Sequence, residues 1–124
     1  MQNVTVKNSK IQGRGVFANR NFAKGETVME WDTTKVLIES DARKIPQKNK
    51  KYLVFSNGLY IFSKSPEKYL NHSCSPNTKE KYYCDVAIRD IMKGEELMTD
   101  YSKDAPPHIK LKCNCKSKNC RKIV

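Results

Sequence analysis

Apolar and polar residues alternate along this chain in short bursts, and helical spacing is scarce. Val4-Thr5-Val6, Val16-Phe17-Ala18, Thr27-Val28-Met29-Glu30-Trp31 and Lys35-Val36-Leu37-Ile38 are β-branched or aromatic runs of strand length. So are Leu59-Tyr60-Ile61-Phe62, Tyr82 to Ile88, and Glu96-Leu97-Met98-Thr99. Turn signals separate them at Gln12-Gly13, Lys24-Gly25-Glu26, Asn57-Gly58 and Lys93-Gly94-Glu95. Asn57-Gly58, between the runs Tyr52 to Ser56 and Leu59 to Phe62, predicts a hairpin. Ser65-Pro66-Glu67-Lys68-Tyr69-Leu70 predicts one short helix, with Ser65 as N-cap and Pro66 in the first turn. The polar stretch Asp41 to Lys51 reads as a short helix or an exposed loop. Together these predict one mostly-β domain of many short strands. Two stretches read as linkers: the basic Arg43 to Lys51, broken by Pro46, and Asp104-Ala105-Pro106-Pro107. The second divides a β body, residues 1–104, from a cysteine-bearing tail, residues 105–124.

Charge narrows the partners. The 124 residues carry 24 Lys+Arg against 13 Asp+Glu, a net charge of +11. That balance suits an anionic partner such as nucleic acid, a nucleoprotein or an acidic protein face, although it also serves plain solubility. No stretch approaches the ~20 apolar residues of a membrane helix. The opening MQNVTVKNSK lacks the apolar centre of a secretory signal. The expectation is an intracellular protein without a membrane partner, nuclear in a eukaryote and cytoplasmic in a microbe or virus. In such a reducing compartment, five cysteines point to metal binding or catalysis before disulfides.

Three of those cysteines, Cys113, Cys115 and Cys120, form a C-x-C-x4-C cluster able to share one tetrahedral Zn²⁺. A closed zinc site takes a fourth ligand, and the remaining candidates are Cys74, Cys84, His72 and His108. Cys74 is favoured because it sits in the polar, turn-rich Asn71-His72-Ser73-Cys74-Ser75-Pro76-Asn77, whereas Cys84 lies in an apolar run, where a free cysteine behaves as a small hydrophobe. The plainer reading is three free thiols on a basic tail.

Four motifs in order carry a family likeness: Gly13-Arg14-Gly15-Val16-Phe17-Ala18, then Asn71 to Asn77, then Gly94-Glu95-Glu96-Leu97-Met98-Thr99-Asp100-Tyr101, then the cysteine cluster. In this the chain resembles SET-domain protein lysine methyltransferases with a post-SET zinc-binding tail. The likeness spans Gly13 to Cys120 and is thinnest from Asp32 to Tyr69. It implies a β-fold of small curved sheets, a C-terminal segment threaded under a loop as a pseudoknot, and a zinc-bound tail. It implies S-adenosylmethionine as cofactor and a lysine side chain on a protein as substrate, with a histone tail or nucleosome plausible on family grounds. Gly13, Arg14, Gly15, Asn71 and His72 match cofactor-binding positions, and Tyr101 matches the catalytic tyrosine. Cys74, Cys113, Cys115 and Cys120 match the zinc ligands. Leu111, Ile123 and Val124 flank the tail, where they would close over the adenine.

Two positions depart from the family. Thr99 stands where many members carry an aromatic residue, and after Glu30 the usual tyrosine is Trp31, with Thr33-Thr34 in place of the usual Gly-Glu. Trp31, Tyr52 and Thr99 are therefore the candidate walls of the substrate channel, with Tyr82 or Tyr83 as other sources of a hydroxyl. The small Thr99 favours di- or trimethylation. Glu95 and Glu96 are neighbours on a strand, so they face opposite ways and form no carboxylate dyad. A basic substrate calls for a locally acidic groove, for which Glu80, Asp85, Asp100 and Asp104 are candidates. The surplus of Lys and Arg suits non-specific contact with DNA beside the substrate. The competing readings are a catalytically silent SET domain that binds protein or nucleosome, and a small zinc-containing nucleic-acid binder.

Overall fold

Three small sheets organise the described residues. The computed structural model describes residues 3–11, 13–56, 58–103 and Cys120. The first sheet contains β1 (Val4–Asn8), β2 (Arg14–Ala18), β7 (Asn71–His72) and β10 (Glu96–Thr99), in the order β1-β2-β10-β7. The second contains β3 (Thr27–Glu30), β8 (Thr78–Lys81) and β9 (Cys84–Ala87), in the order β3-β9-β8. The third contains β4 (Val36–Leu37), β5 (Leu53–Ser56) and β6 (Leu59–Phe62), in the order β4-β6-β5. The mostly-β SET-type architecture expected from the sequence is present.

Sheet one positions the site. β10 runs antiparallel to β2, with Leu97 opposite Val16, and parallel to β7, with Thr99 opposite His72. A strand from late in the sequence is thus inserted between two earlier ones. Completion of the expected threading falls on residues after Lys103, outside the described residues. The core gathers Val16, Phe22, Ile91 and Leu97, each no more than 1% exposed, with Val28, Met29, Leu70 and Ala87 around them. Alternation explains the selection: Val16 and Ala18 turn inward on β2, while Leu97 and Thr99 do so on β10.

Several elements differ from the sequence reading. Tyr82 to Ile88 does not begin as a strand. Tyr82 and Tyr83 form the two-residue turn between β8 and β9, with Lys81 opposite Cys84. Both have positive φ, +51° and +61°, a conformation that β-loving aromatics disfavour. Tertiary contacts hold them there: the Tyr83 N–H donates to Glu80 Oε2 at 2.8 Å, and the Tyr83 carbonyl accepts the Trp31 N–H at 2.8 Å. The short helix at Ser65 is a 3-10 turn, Glu67–Tyr69, with Pro66 rather than Ser65 at the cap position. The stretch Arg43 to Lys51 is not a linker. Its beginning closes α1 (Glu39–Arg43), and most of the rest lies in a 3-10 helix, Gln47–Tyr52. Ala42 is 1% exposed and Ile45 packs beside it against Leu53, Tyr60 and Phe62, so an i, i+3 apolar pair ties this basic segment to sheet three.

Candidate active site

The segment Asn71 to Asn77 meets the end of β10 through a dense set of hydrogen bonds. The Ser73 N–H donates to the Thr99 carbonyl at 2.9 Å, and the Thr78 hydroxyl donates to the Met98 carbonyl at 2.9 Å. Asn77, 1% exposed, uses both ends of its amide. Its Nδ2 donates to the Glu96 carbonyl and its Oδ1 accepts the Met98 N–H, each at 2.8 Å. Sequence reasoning gave Asn77 no role, because its partners lie some twenty positions away.

This framework anchors Tyr101 at two points. Its backbone N–H donates to His72 Nδ1 at 2.9 Å. A nitrogen that accepts carries no proton, so in the neutral imidazole the proton sits on Nε2. Nε2 lies 3.4 Å from Cys74 Sγ and is the donor of that pair. The Tyr101 hydroxyl donates to the Leu70 carbonyl, one residue before Asn71. Burial pushes the phenol pKa well up, and Tyr52 and Glu96 push in the same direction. Tyr101 therefore keeps its proton at neutral pH, while its oxygen retains lone pairs to accept other contacts.

The other half of the site is the start of β2. Asn71 Nδ2 donates to the Arg14 carbonyl at 3.0 Å and to Glu96 Oε2 at 2.9 Å. Ser9 Oγ shares its proton with both Glu96 oxygens at 2.8 Å. Gly15 is pressed against this carboxylate: a Cβ there would lie 2.3 Å from Glu96 Oε2. Glycine at position 15 is a matter of room. Glu95 turns the other way, accepting the Met92 N–H and pairing with Arg89 at 3.1 Å. The two glutamates form no dyad, as their strand positions require. Glu96 is the site residue that sequence reasoning missed, since no spacing links it to Gly15.

The structure thus gathers Arg14, Gly15, Asn71, His72 and Thr99 at one end of sheet one, where β2, β10 and β7 lie side by side, with Gly13 just before β2 and Tyr101 just after β10. Tyr52 lies near enough to raise the Tyr101 pKa, and its ring packs edge-on to Phe62 with centroids 6.3 Å apart. Trp31 belongs to a different cluster. Its indole N–H donates to Asp85 Oδ2 at 3.0 Å, and its ring meets Tyr83 edge-on at 6.1 Å. The acidic groove needs correction. Asp85 is 1% exposed and holds Trp31, so it offers no surface charge; Glu80 accepts from Tyr83 and Ser56. Asp100 lies 3.8 Å from His72 Nδ1, and Asp104 is outside the described residues.

Of the zinc candidates, Cys74, Cys84, Cys120 and His72 are described; the three cysteines are half-buried and His72 is buried. Cys113, Cys115 and His108 lie outside the described residues, as do Leu111, Ile123 and Val124. Among the described residues no three His, Cys, Asp or Glu side chains gather as a metal-binding group. The donor chemistry at Cys74 nonetheless suits zinc, because an N–H directed at sulfur is the contact a coordinated thiolate accepts.

Small open sheets, a strand inserted beside Asn71–His72 and a tyrosine anchored at its end define a SET domain. The sequence matches the SET domain over residues 13–102. The chain belongs to the SET-domain family. Human Histone-lysine N-methyltransferase 2D is 33% identical over 141 aligned residues, covering 97% of this chain and 2% of that protein. Human Histone-lysine N-methyltransferase 2B is 33% identical, over 98% of this chain and 5% of its own length. The Saccharomyces cerevisiae Histone-lysine N-methyltransferase, H3 lysine-36 specific, is 31% identical over 94% of this chain and 18% of its own length. The chain therefore spans only a small part of these relatives.

Proposed function

We propose that this chain is a protein lysine N-methyltransferase that uses S-adenosylmethionine and acts on a histone or another basic, DNA-associated protein. The observation that carries the reading is the double anchorage of Tyr101, through its N–H on His72 and its hydroxyl on Leu70, beside the Gly15–Asn71 edge. The relatives' names supply the substrate class. The exposed Lys44 and Lys48 near α1, with the net charge of +11, suit contact with nucleosomal DNA.

Gly13, Arg14, Gly15, Asn71 and His72 would hold the cofactor, which supplies an electrophilic methyl group on a sulfonium. The residues fit such a guest: the Gly15 backbone and the Asn71 amide adjoin a carboxylate, a suitable setting for a cationic ligand. A lysine amine must arrive neutral, against an ordinary pKa of ~10.4. Held there, the cofactor would supply its methyl group to that neutral amine, and the proton the amine sheds would leave to solvent. Tyr101 stays protonated in this scheme. It orients the amine and the methyl through its oxygen lone pairs and acts as no base. Tyr52 and Thr99 would wall the channel, Trp31 being held in its separate cluster by Asp85, and the small Thr99 would leave room for more than one methyl. Cys74, Cys113, Cys115 and Cys120 would bind Zn²⁺, which would dock the tail onto the Asn71–Asn77 segment.

The test is transfer of labelled methyl from S-adenosylmethionine to histones, nucleosomes and a basic protein extract. The Tyr101→Phe variant should lose at least about 10²-fold in kcat with cofactor affinity nearly unchanged. Transfer at equal rates by both proteins would refute the role of Tyr101. Cofactor binding without transfer to any substrate would favour the silent binding module.

A further inference from the structure

Among the described residues, Glu96 is a carboxylate without a cationic partner. Its acceptor contacts come from neutral groups, the Ser9 hydroxyl and the Asn71 amide. No described Lys or Arg reaches it, although the chain carries 24 of them. The adjacent guanidinium, that of Arg14, lies over the Tyr69 ring, 5.9 Å from its centroid. Four other carboxylates take a basic partner, Glu26 with Arg20, Glu39 with Arg43, Asp32 with Lys64 and Glu95 with Arg89, whereas Glu80, like Glu96, accepts from neutral donors. Glu96 is also half-buried, where a charge is less screened than at the surface. It occupies the point where Gly15, Asn71 and the approach to Tyr101 converge. Its charge is felt at the Tyr101 phenol.

We propose that Glu96 is the counter-charge that makes this site prefer the cationic methyl donor over its neutral thioether product. The proposal rests on the methyltransferase reading and gives that site a specificity determinant. S-adenosylmethionine carries a sulfonium, and S-adenosylhomocysteine has a thioether in its place. The two share every other binding group, so contacts from Asn71 and the Gly13–Gly15 turn hold both alike. A fixed negative charge near the sulfur separates them, favouring uptake of the donor and release of the product. Because positive charge moves only from sulfur to the nearby amine during transfer, the carboxylate acts mainly on binding and little on the chemical step.

The experiment is titration calorimetry of S-adenosylmethionine and S-adenosylhomocysteine with the wild-type chain and with Glu96→Gln, Glu96→Asp and Ser9→Ala. Glu96→Gln keeps a similar shape without the charge. It should weaken donor binding roughly 5-fold more than product binding, as one charge acting over several ångströms at intermediate dielectric implies. Glu96→Asp and Ser9→Ala keep the charge and should preserve the wild-type preference even where both affinities fall. In kinetics Glu96→Gln should raise the KM for the donor more than it lowers kcat. Equal weakening of the two ligands by Glu96→Gln would overturn the proposal and leave the cofactor reading standing. Failure of the wild-type chain to bind either ligand would overturn both. Should Glu96→Gln fold poorly, loss of the preference in the charge-retaining Glu96→Asp would overturn the proposal by itself.

Discussion

Replacing Asn77 by alanine tests the junction on which the site is built. The amide is 1% exposed and makes two side-chain hydrogen bonds of 2.8 Å, to the Glu96 carbonyl and from the Met98 N–H. Alanine deletes both and leaves a backbone acceptor and a backbone donor of β10 unpaired behind a small void. Each such group costs ~1–3 kcal/mol, so the loss should be ~2–6 kcal/mol. That is a large share of the ~5–15 kcal/mol that holds a typical domain together. Urea unfolding followed by tryptophan fluorescence, with Trp31 as the reporter, measures it, and the melting temperature should fall by ~10–20 °C. Asn77→Asp sharpens the test. Its carboxylate still accepts the Met98 N–H, but it sets a second negative oxygen against the Glu96 carbonyl. The variant should be at least as unstable as Asn77→Ala at neutral pH. It should recover on acidification, because the introduced carboxyl, once protonated, could donate to that carbonyl as the amide does. That buried carboxyl would have a raised folded-state pKa, so stability is lost as pH rises through it. A loss below ~1 kcal/mol for Asn77→Ala would mean that water replaces the amide, and the claim that Asn77 fastens β10 to the Asn71–Asn77 segment would fall.

Glu67 should give the fold a pH slope. Burial raises its pKa from 4.5 to about 7, opposed by the Asp32 N–H and assisted by the nearby Asp32 charge. The folded state then holds this proton more tightly than the unfolded chain does between 4.5 and about 7. Stability therefore declines as pH rises through that window, by ~1–3 kcal/mol. Glu67→Gln should flatten the slope in melts from pH 5 to pH 8, and an unchanged slope would show that another group titrates. At the β8–β9 turn, Tyr82 has φ +51° and is 81% exposed. Tyr82→Asn should stabilise the protein by ~0.5–1 kcal/mol, since Asn tolerates this conformation. Tyr83→Gly should not, because it gives up the packing on Trp31. A lower melting temperature for Tyr82→Asn would show that the exposed ring makes a stabilising contact.

Parts of this molecule could be read without coordinates. The alternation in Val16-Phe17-Ala18 and Glu96-Leu97-Met98-Thr99 fixed strands that bury Val16 and Leu97 completely. Gly25, Gly58 and Gly94 mark turns where φ is positive, between +80° and +95°. The ordered motifs named the family, and the opposite faces of Glu95 and Glu96 followed from strand geometry. These features are local, so their physics is contained within a few neighbouring residues. Tertiary structure decided the rest. Tyr82 and Tyr83 have high strand propensity, yet contacts from Glu80 and Trp31 bend them into a turn. Asp85 looked like a surface charge and is the buried acceptor of an indole. Asn77 and Glu96 act through partners on β10, on β2 and in the Ser9 turn, and no spacing in the sequence encodes those meetings. They arise because β10 is inserted between β2 and β7, which places late residues against early ones. Strand insertion depends on pairing between distant segments, and the site it creates exists only once that pairing is made.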